Sequence, residues 1–175
     1  MTSEELRAAQ APVKTRYRED AEAAKVTMRV TGCIDPARQV CAIDTKFPSI
    51  VEAGLHPAAG GDGRFACSGD MLLQALAACA GVTLGAVATA MNLPVRGGTV
   101  TAEGDLDFRG TLGVSKDVPV GFSAVRVHFA LDSDCEPDAV ATLLRLTERY
   151  CVIFQTLKQP PALSADVESR PAPTA

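Results

Sequence analysis

Apolar and polar positions alternate along "KVTMRVTG" (25–32), the pattern of a strand with one face on a core and the other in water. "QVCAIDT" (39–45) and "FPSIVEA" (47–53) read as two further strands. Pro48, with no N–H to give to a ladder, pushes the third towards a sheet edge. Asp35-Pro36 supplies the turn between the first two, and "GLHPAAGGDGR" (54–64) is a glycine-rich loop. The period then changes. "LLQALAACAGVTLGAVATAMNL" (72–93) contains no charge, and the helix predicted over 68–93 would be about 37 Å long. Ser68 is placed as its N-cap, Asp70 falls in the first turn where the helix dipole favours an anion, and Asn92-Leu93-Pro94 ends it. Alternation returns in "TVTAEGDLDFRG" (99–110) and "SAVRVHFALD" (123–132). "CEPDAVATLLRLTERYCVIFQTLKQPP" (135–161) predicts a second helix, with Pro137 in its first turn and Pro160-Pro161 at its end. Val140, Leu144, Thr147, Cys151 and Phe154 trace one of its faces. "ALSADVES" (162–169) alternates as a last strand. The order βββ-α-ββ-α-β makes the class α+β, with residues 1–24 as an arm or short helix, 25–169 as one domain and 170–175 as a tail.

The uncharged helix is long enough to cross a bilayer, but its composition argues against that. Alanine, glycine and threonine dominate it, Gln74 lies within it, and no Lys/Arg cluster flanks it to set an orientation. A helix that is apolar all round is otherwise one buried on every side. Ala75, Ala78, Gly81 and Gly85 are small enough to let another element approach closely. Six strands and one further helix are few to surround it, and a dimer in which both subunits' strands wrap two central helices solves that problem.

Composition narrows the function classes. The chain is 47% hydrophobic and 22% charged, as globular chains are, and its net charge is -4. No basic cluster is denser than "KTRYRE" (14–19), so there is no electrostatic footprint for nucleic acid. "MTSEELRAAQ" has neither the basic nor the apolar region of a secretory signal, which predicts a cytoplasmic protein whose six cysteines are mostly reduced thiols. Their spacing lacks C-x-x-C, and His56 and His128 are remote from every cysteine in sequence, so neither a metal nor a cofactor is expected. "GGDG" (60–63) has no lysine after it and no strand before it, and reads as a loop rather than a phosphate cradle. Glu103, Asp105 and Asp107 alternate along one strand face, where solvation is the simpler expectation than a bound cation.

Three stretches together resemble the OsmC/Ohr family, the osmotically inducible and organic hydroperoxide resistance proteins. They are "SGDMLLQALAACAGVTL", "EGDLDFRGTLG...VPVGFSAVRVHF" and "LTERYCVIFQTL", and the likeness spans about residues 25–168. The resemblance implies an intertwined homodimer with sites at the subunit boundary. It also implies thiol peroxidase chemistry, in which a cysteine on the central helix attacks an organic hydroperoxide and a second cysteine resolves it as a disulfide. A dithiol reductant, lipoyl-type in one branch, then restores the thiols.

By that resemblance the attacking cysteine is Cys79 and the resolving one Cys151. Both also lie on apolar helix faces, where a free cysteine can equally be inert packing. Burial raises a thiol pKa, so Cys79 needs a positive group nearby to be a thiolate at neutral pH. The family uses an arginine oriented by a carboxylate. Arg38, in "DPARQ", is the first candidate for that arginine, Arg29 the second, and Arg64 and Arg109 are more remote ones. Asp70 is the candidate carboxylate, nine positions before Cys79, where the organic-hydroperoxide branch has glutamate at ten. Nine residues turn a helix by about 900°, which sets Asp70 on the opposite side from Cys79, and a helix-start role is the alternative. Cys67, just before the central helix, is an alternative reactive thiol, and Cys33 and Cys41 flank a turn. The rival functional reading is a non-catalytic module that holds an apolar ligand between subunits.

Overall fold

The computed structural model describes residues 3–35, 40–43 and 53–167. The elements are α1 (Ser3–Glu19), β1 (Lys25–Asp35), β2 (Val40–Ile43), α2 (Ser68–Ala90), β3 (Val95–Asp107), a short α3 (Phe108–Thr111), β4 (Phe122–Ser133), α4 (Pro137–Tyr150) and α5 (Val152–Lys158). The four strands form one antiparallel sheet in the order β2-β1-β3-β4, and the class is α+β as the alternation predicts.

Parity along the strands decides what faces the core. Ile34, Val100 and Ala102 are buried on the inner face. Their neighbours form a polar outer ladder: Thr27 donates to Asp105 at 2.7 Å, Arg29 pairs with Glu103, and Arg126 with Asp105. The acidic alternation of β3 is therefore absorbed by arginines and a threonine on a solvated face. Asp107 instead caps α3 and pairs with Arg109 at 2.6 Å. Near the irregularity of β3 at Val95/Gly97, Gly98 adopts φ +150, and a Cβ there would lie 2.3 Å from the Ala130 carbonyl oxygen. Only glycine fits.

The central helix α2 lies across β1 and β3 and against α4 and α5. Leu73, Leu76, Ala77, Ala80, Leu84 and Ala88 recur at helical spacing and are buried, building the core with Leu143 of α4. Cys67, not Ser68, is the N-cap, and it makes no side-chain capping bond. The end is a Schellman motif: Asn92 takes φ +52, Asn92 N–H donates to the Thr89 carbonyl and Leu93 N–H to the Ala88 carbonyl. Hydropathy and length would let α2 span a membrane, yet its buried face belongs to this core. The single chain does not cover α2 on every side, as the small number of surrounding elements leads one to expect. Leu72, Ala75, Val82 and Ala86 form a stripe along α2 that the single chain leaves exposed.

Of three further elements, one is formed at greater length than expected, one lies almost wholly outside the described residues and one is not formed. Residues 3–19 form a full helix, held by Tyr17, whose hydroxyl donates to the Ala58 carbonyl at 2.8 Å. The proposed third strand, 47–53, lies outside the described residues except for Ala53, which makes an isolated bridge to Ala66. The last strand over 162–169 is not formed along its described part: 162–167 pair with no other described residue, and Leu163 and Val167 stand 89% and 92% exposed. Alternation alone does not make a strand without a paired neighbour.

Candidate active site

The predicted second helix is two helices. Cys151 takes extended angles (φ -71, ψ 109), ending α4 and starting α5. Cys151 N–H still bonds the Thr147 carbonyl at 2.9 Å, and Gln155 N–H bonds the Cys151 carbonyl at 2.9 Å. Between them the N–H groups of Val152, Ile153 and Phe154 lose their carbonyls four residues back. Phe154 N–H turns to the Cys151 sulfur at 3.5 Å. The N–H groups of Val152 and Ile153 lie near enough to the sulfur of Cys79 on α2 to help lower its pKa, Ile153 more than Val152. The Gln155 side-chain amide crosses the break and donates to the Glu148 carbonyl at 2.7 Å.

The structure thus brings Cys79 and Cys151 together, although they are distant in sequence. Cys151 is fully buried and Cys79 half-buried. Their environments push them in opposite directions. Burial raises the Cys79 thiol, but the Ile153 N–H, the Cys151 thiol, the Thr83 hydroxyl and the Val152 N–H donate to it and together hold it below the usual thiol range. Cys151 is pushed up to about 11, first by burial and then by its donation to the Cys79 sulfur. One sulfur is favoured as the anion, the other as the proton donor to it.

Among the described residues, the charged candidates are engaged elsewhere. Arg38 lies outside the described residues. Arg29 is on the outer sheet face with Glu103, Arg64 pairs with Asp62 at 2.5 Å, and Arg109 with Asp107. The donors to Cys79 are backbone amides, a thiol and a hydroxyl, none of them a cation. Asp70 sits in the first turn of α2, about 13 Å along the axis from Cys79, and among the described residues no arginine pairs with it. Cys67, at the start of α2, is about 18 Å from Cys79 along the axis. In the backbone register Cys33 pairs with Ala42 and Cys41 with Ile34, so the two cysteines are not cross-strand partners. His56 stacks on Phe108 at 4.9 Å, and its Nδ1 accepts the Ala58 N–H at 3.0 Å, a structural role. Sequence reasoning missed Thr83 and Gln155. Thr83 was legible at four positions after Cys79, one helical turn on; Gln155 was not, because its role exists only once the helix breaks.

Two apolar clefts open between the helices and β4, neither of them lined by Cys79 or Cys151. One of about 390 Å³ runs between α2, α4 and β4, with Leu84, Phe129 and Leu144 in its walls. The other, about 540 Å³, runs between α2, α5 and β4, with Leu76, Phe122 and Phe154, and Lys158 at its rim. A small space between them reaches Cys151 itself.

Residues 61–166 match the family model described as OsmC-like protein. The fold is similar to that of an OsmC-like hydroperoxide resistance protein from Jannaschia sp. CCS1, with a TM-score of 0.57 and 15% identity over 83% of this chain and 95% of that one. A comparison with curated proteins finds no match.

Proposed function

The chain belongs to the OsmC-like protein family, and on that premise we propose that it is a two-cysteine thiol peroxidase acting on organic hydroperoxides. The observation that carries this reading is the contact between a thiol held low, Cys79, and one held high, Cys151. The Cys79 thiolate attacks the terminal peroxide oxygen; an S–O bond forms, the O–O bond breaks, and the alkoxide leaves to become the alcohol. Cys79 is now a sulfenic acid. Cys151 attacks that sulfur, and its proton leaves with the sulfenic hydroxyl as water, giving the Cys79–Cys151 disulfide. A dithiol, of lipoyl type or similar, returns both sulfurs to thiols by exchange. The apolar clefts suit a greasy peroxide. Thiolate stabilisation falls to the Val152 and Ile153 amides, Cys151 and Thr83, with Arg38 and Asp70 as further candidates for an arginine–carboxylate pair. The free thiols of Cys33, Cys67, Cys79, Cys135 and Cys151 favour a reducing compartment such as the cytoplasm.

We further propose that the working unit is a homodimer, because the open stripe of α2 is apolar and continues onto exposed Tyr150 and Val152 beside the cysteines. Peroxidase turnover tests the function. With cumene hydroperoxide and a dithiol, the protein should consume peroxide catalytically, and Cys79→Ser should lose at least about a hundredfold, the scale of a removed nucleophile. Unchanged consumption in that variant removes Cys79 from the mechanism. The rival reading, a non-catalytic module holding an apolar ligand, draws on the same clefts and on the engagement of Arg29, Arg64 and Arg109 elsewhere. Apolar ligand recovered with the purified protein, together with thiols of ordinary reactivity, would favour it.

A further inference from the structure

A helix that breaks in its middle leaves donors and acceptors that must go somewhere, and here nearly every one has an address. In a continuous helix the Glu148 carbonyl would take the Val152 N–H. At this break it takes the Gln155 side-chain amide instead, at 2.7 Å, across a separation of seven residues. The carbonyls of Arg149 and Tyr150 lie at an exposed turn where water can serve them. Phe154 N–H is occupied by the Cys151 sulfur. Two donors are then left over: Ile153, which acts on both sulfurs, and Val152, which acts on the sulfur of α2.

We infer that Gln155 is a positioning residue: by occupying the Glu148 carbonyl it keeps the Val152 N–H from closing the helix and leaves that donor to the Cys79 sulfur. The other local feature at the break is the Cys151 sulfur, which caps α5 by accepting the Phe154 N–H but leaves the Val152 amide and the Glu148 carbonyl untouched. No proline or glycine stands between Thr147 and Lys158, and valine at the first position of α5 is free to continue a helix. Without the side-chain amide, a part-buried carbonyl loses its partner, and the nearest replacement is the Val152 amide. Restoring that bond would rotate Cys151 back into a continuous helix and withdraw a donor from Cys79. Gln155 touches neither sulfur and acts only through the backbone.

The inference rests on Cys79 being the reactive thiol, and its test reads the thiol without peroxide, so failure here is separable from failure of the peroxidase reading. The measurement is the rate of iodoacetamide alkylation against pH, quantified by mass spectrometry on the peptide that holds Cys79. In Gln155→Leu the midpoint should move up by about half a unit to one unit, the scale of one lost hydrogen bond to a thiolate. Val152→Pro supplies the second arm. Proline suits the first position of a helix, so it holds the break open while removing the Val152 donor. Val152→Pro alone should raise the midpoint by a similar amount, and adding Gln155→Leu to it should change nothing more, because no amide remains to compete for the Glu148 carbonyl. A folded Gln155→Leu with the wild-type profile overturns the inference. So do shifts that simply add in the double variant, or a double variant that unfolds, which would assign Gln155 to stability alone.

Discussion

A thiol in apolar surroundings titrates late because the anion loses its water, and only donors aimed at the sulfur reverse this. Cys79 has four such donors and Cys151 has mostly the burial. Alkylation should therefore reach Cys79 first as pH rises and Cys151 last, near its value of about 11. The same shifts set the alkaline stability. Cys151 is raised from 9.0, so between about 9 and about 11 the folded chain holds a proton that the unfolded chain has lost, and stability falls with pH across that window. Cys79 is lowered, so its contribution has the opposite sign: it is present above 9.0 and lost as pH falls through the folded value. Urea unfolding at stepped pH should show stability declining between pH 9 and pH 11, with the decline reduced in Cys151→Ala. A flat profile in the wild type would contradict the raised Cys151. At this scale the cysteine pair was legible in the sequence, through apolar helix faces and the family resemblance. What activates Cys79 was not, since a side chain can be read from the sequence but an amide freed by a backbone break cannot.

At the scale of elements, α2 was the most legible, because an uncharged run with leucines at helical spacing admits few other structures. Its buried face predicts the cost of damaging it. Leu84 is buried against the sheet and α4, so Leu84→Ala should lower unfolding free energy by about 2–5 kcal/mol in urea titrations. A change within about 0.5 kcal/mol, the usual range for surface positions, would mean that this face is not the core. The second helix was harder to read. The face traced by Val140, Leu144, Thr147, Cys151 and Phe154 runs through Cys151 without interruption, and periodicity carries no mark of the extended residue there. Leu143, one position away, takes the buried place while Leu144 is partly exposed. The strand forecast at 162–169 misled for a related reason: alternation reports two-sidedness, whereas a strand also needs a partner edge.

For the whole molecule, the uncovered apolar surface that lies beside the cysteines is the outer stripe of α2 and, on the helices next to it, Tyr150 and Val152. A second copy placed there would cover both cysteines' surroundings and complete the shielding of Cys79. Sedimentation should then give twice the 18.3 kDa chain mass, and Val82→Asp, at a position 39% exposed in the single chain, should shift it towards the single mass without unfolding the subunit. A wild type that sediments at the single mass would contradict the dimer. The central claim, that two thiols from separate helices work as one redox pair, is tested most directly by adding one equivalent of cumene hydroperoxide to the reduced protein and mapping its peptides by mass spectrometry without reductant. The account predicts one linked pair, Cys79 with Cys151, and the loss of two free thiols per chain. Oxidation that settles on Cys67 or another cysteine, with Cys79 and Cys151 both still free, would contradict it.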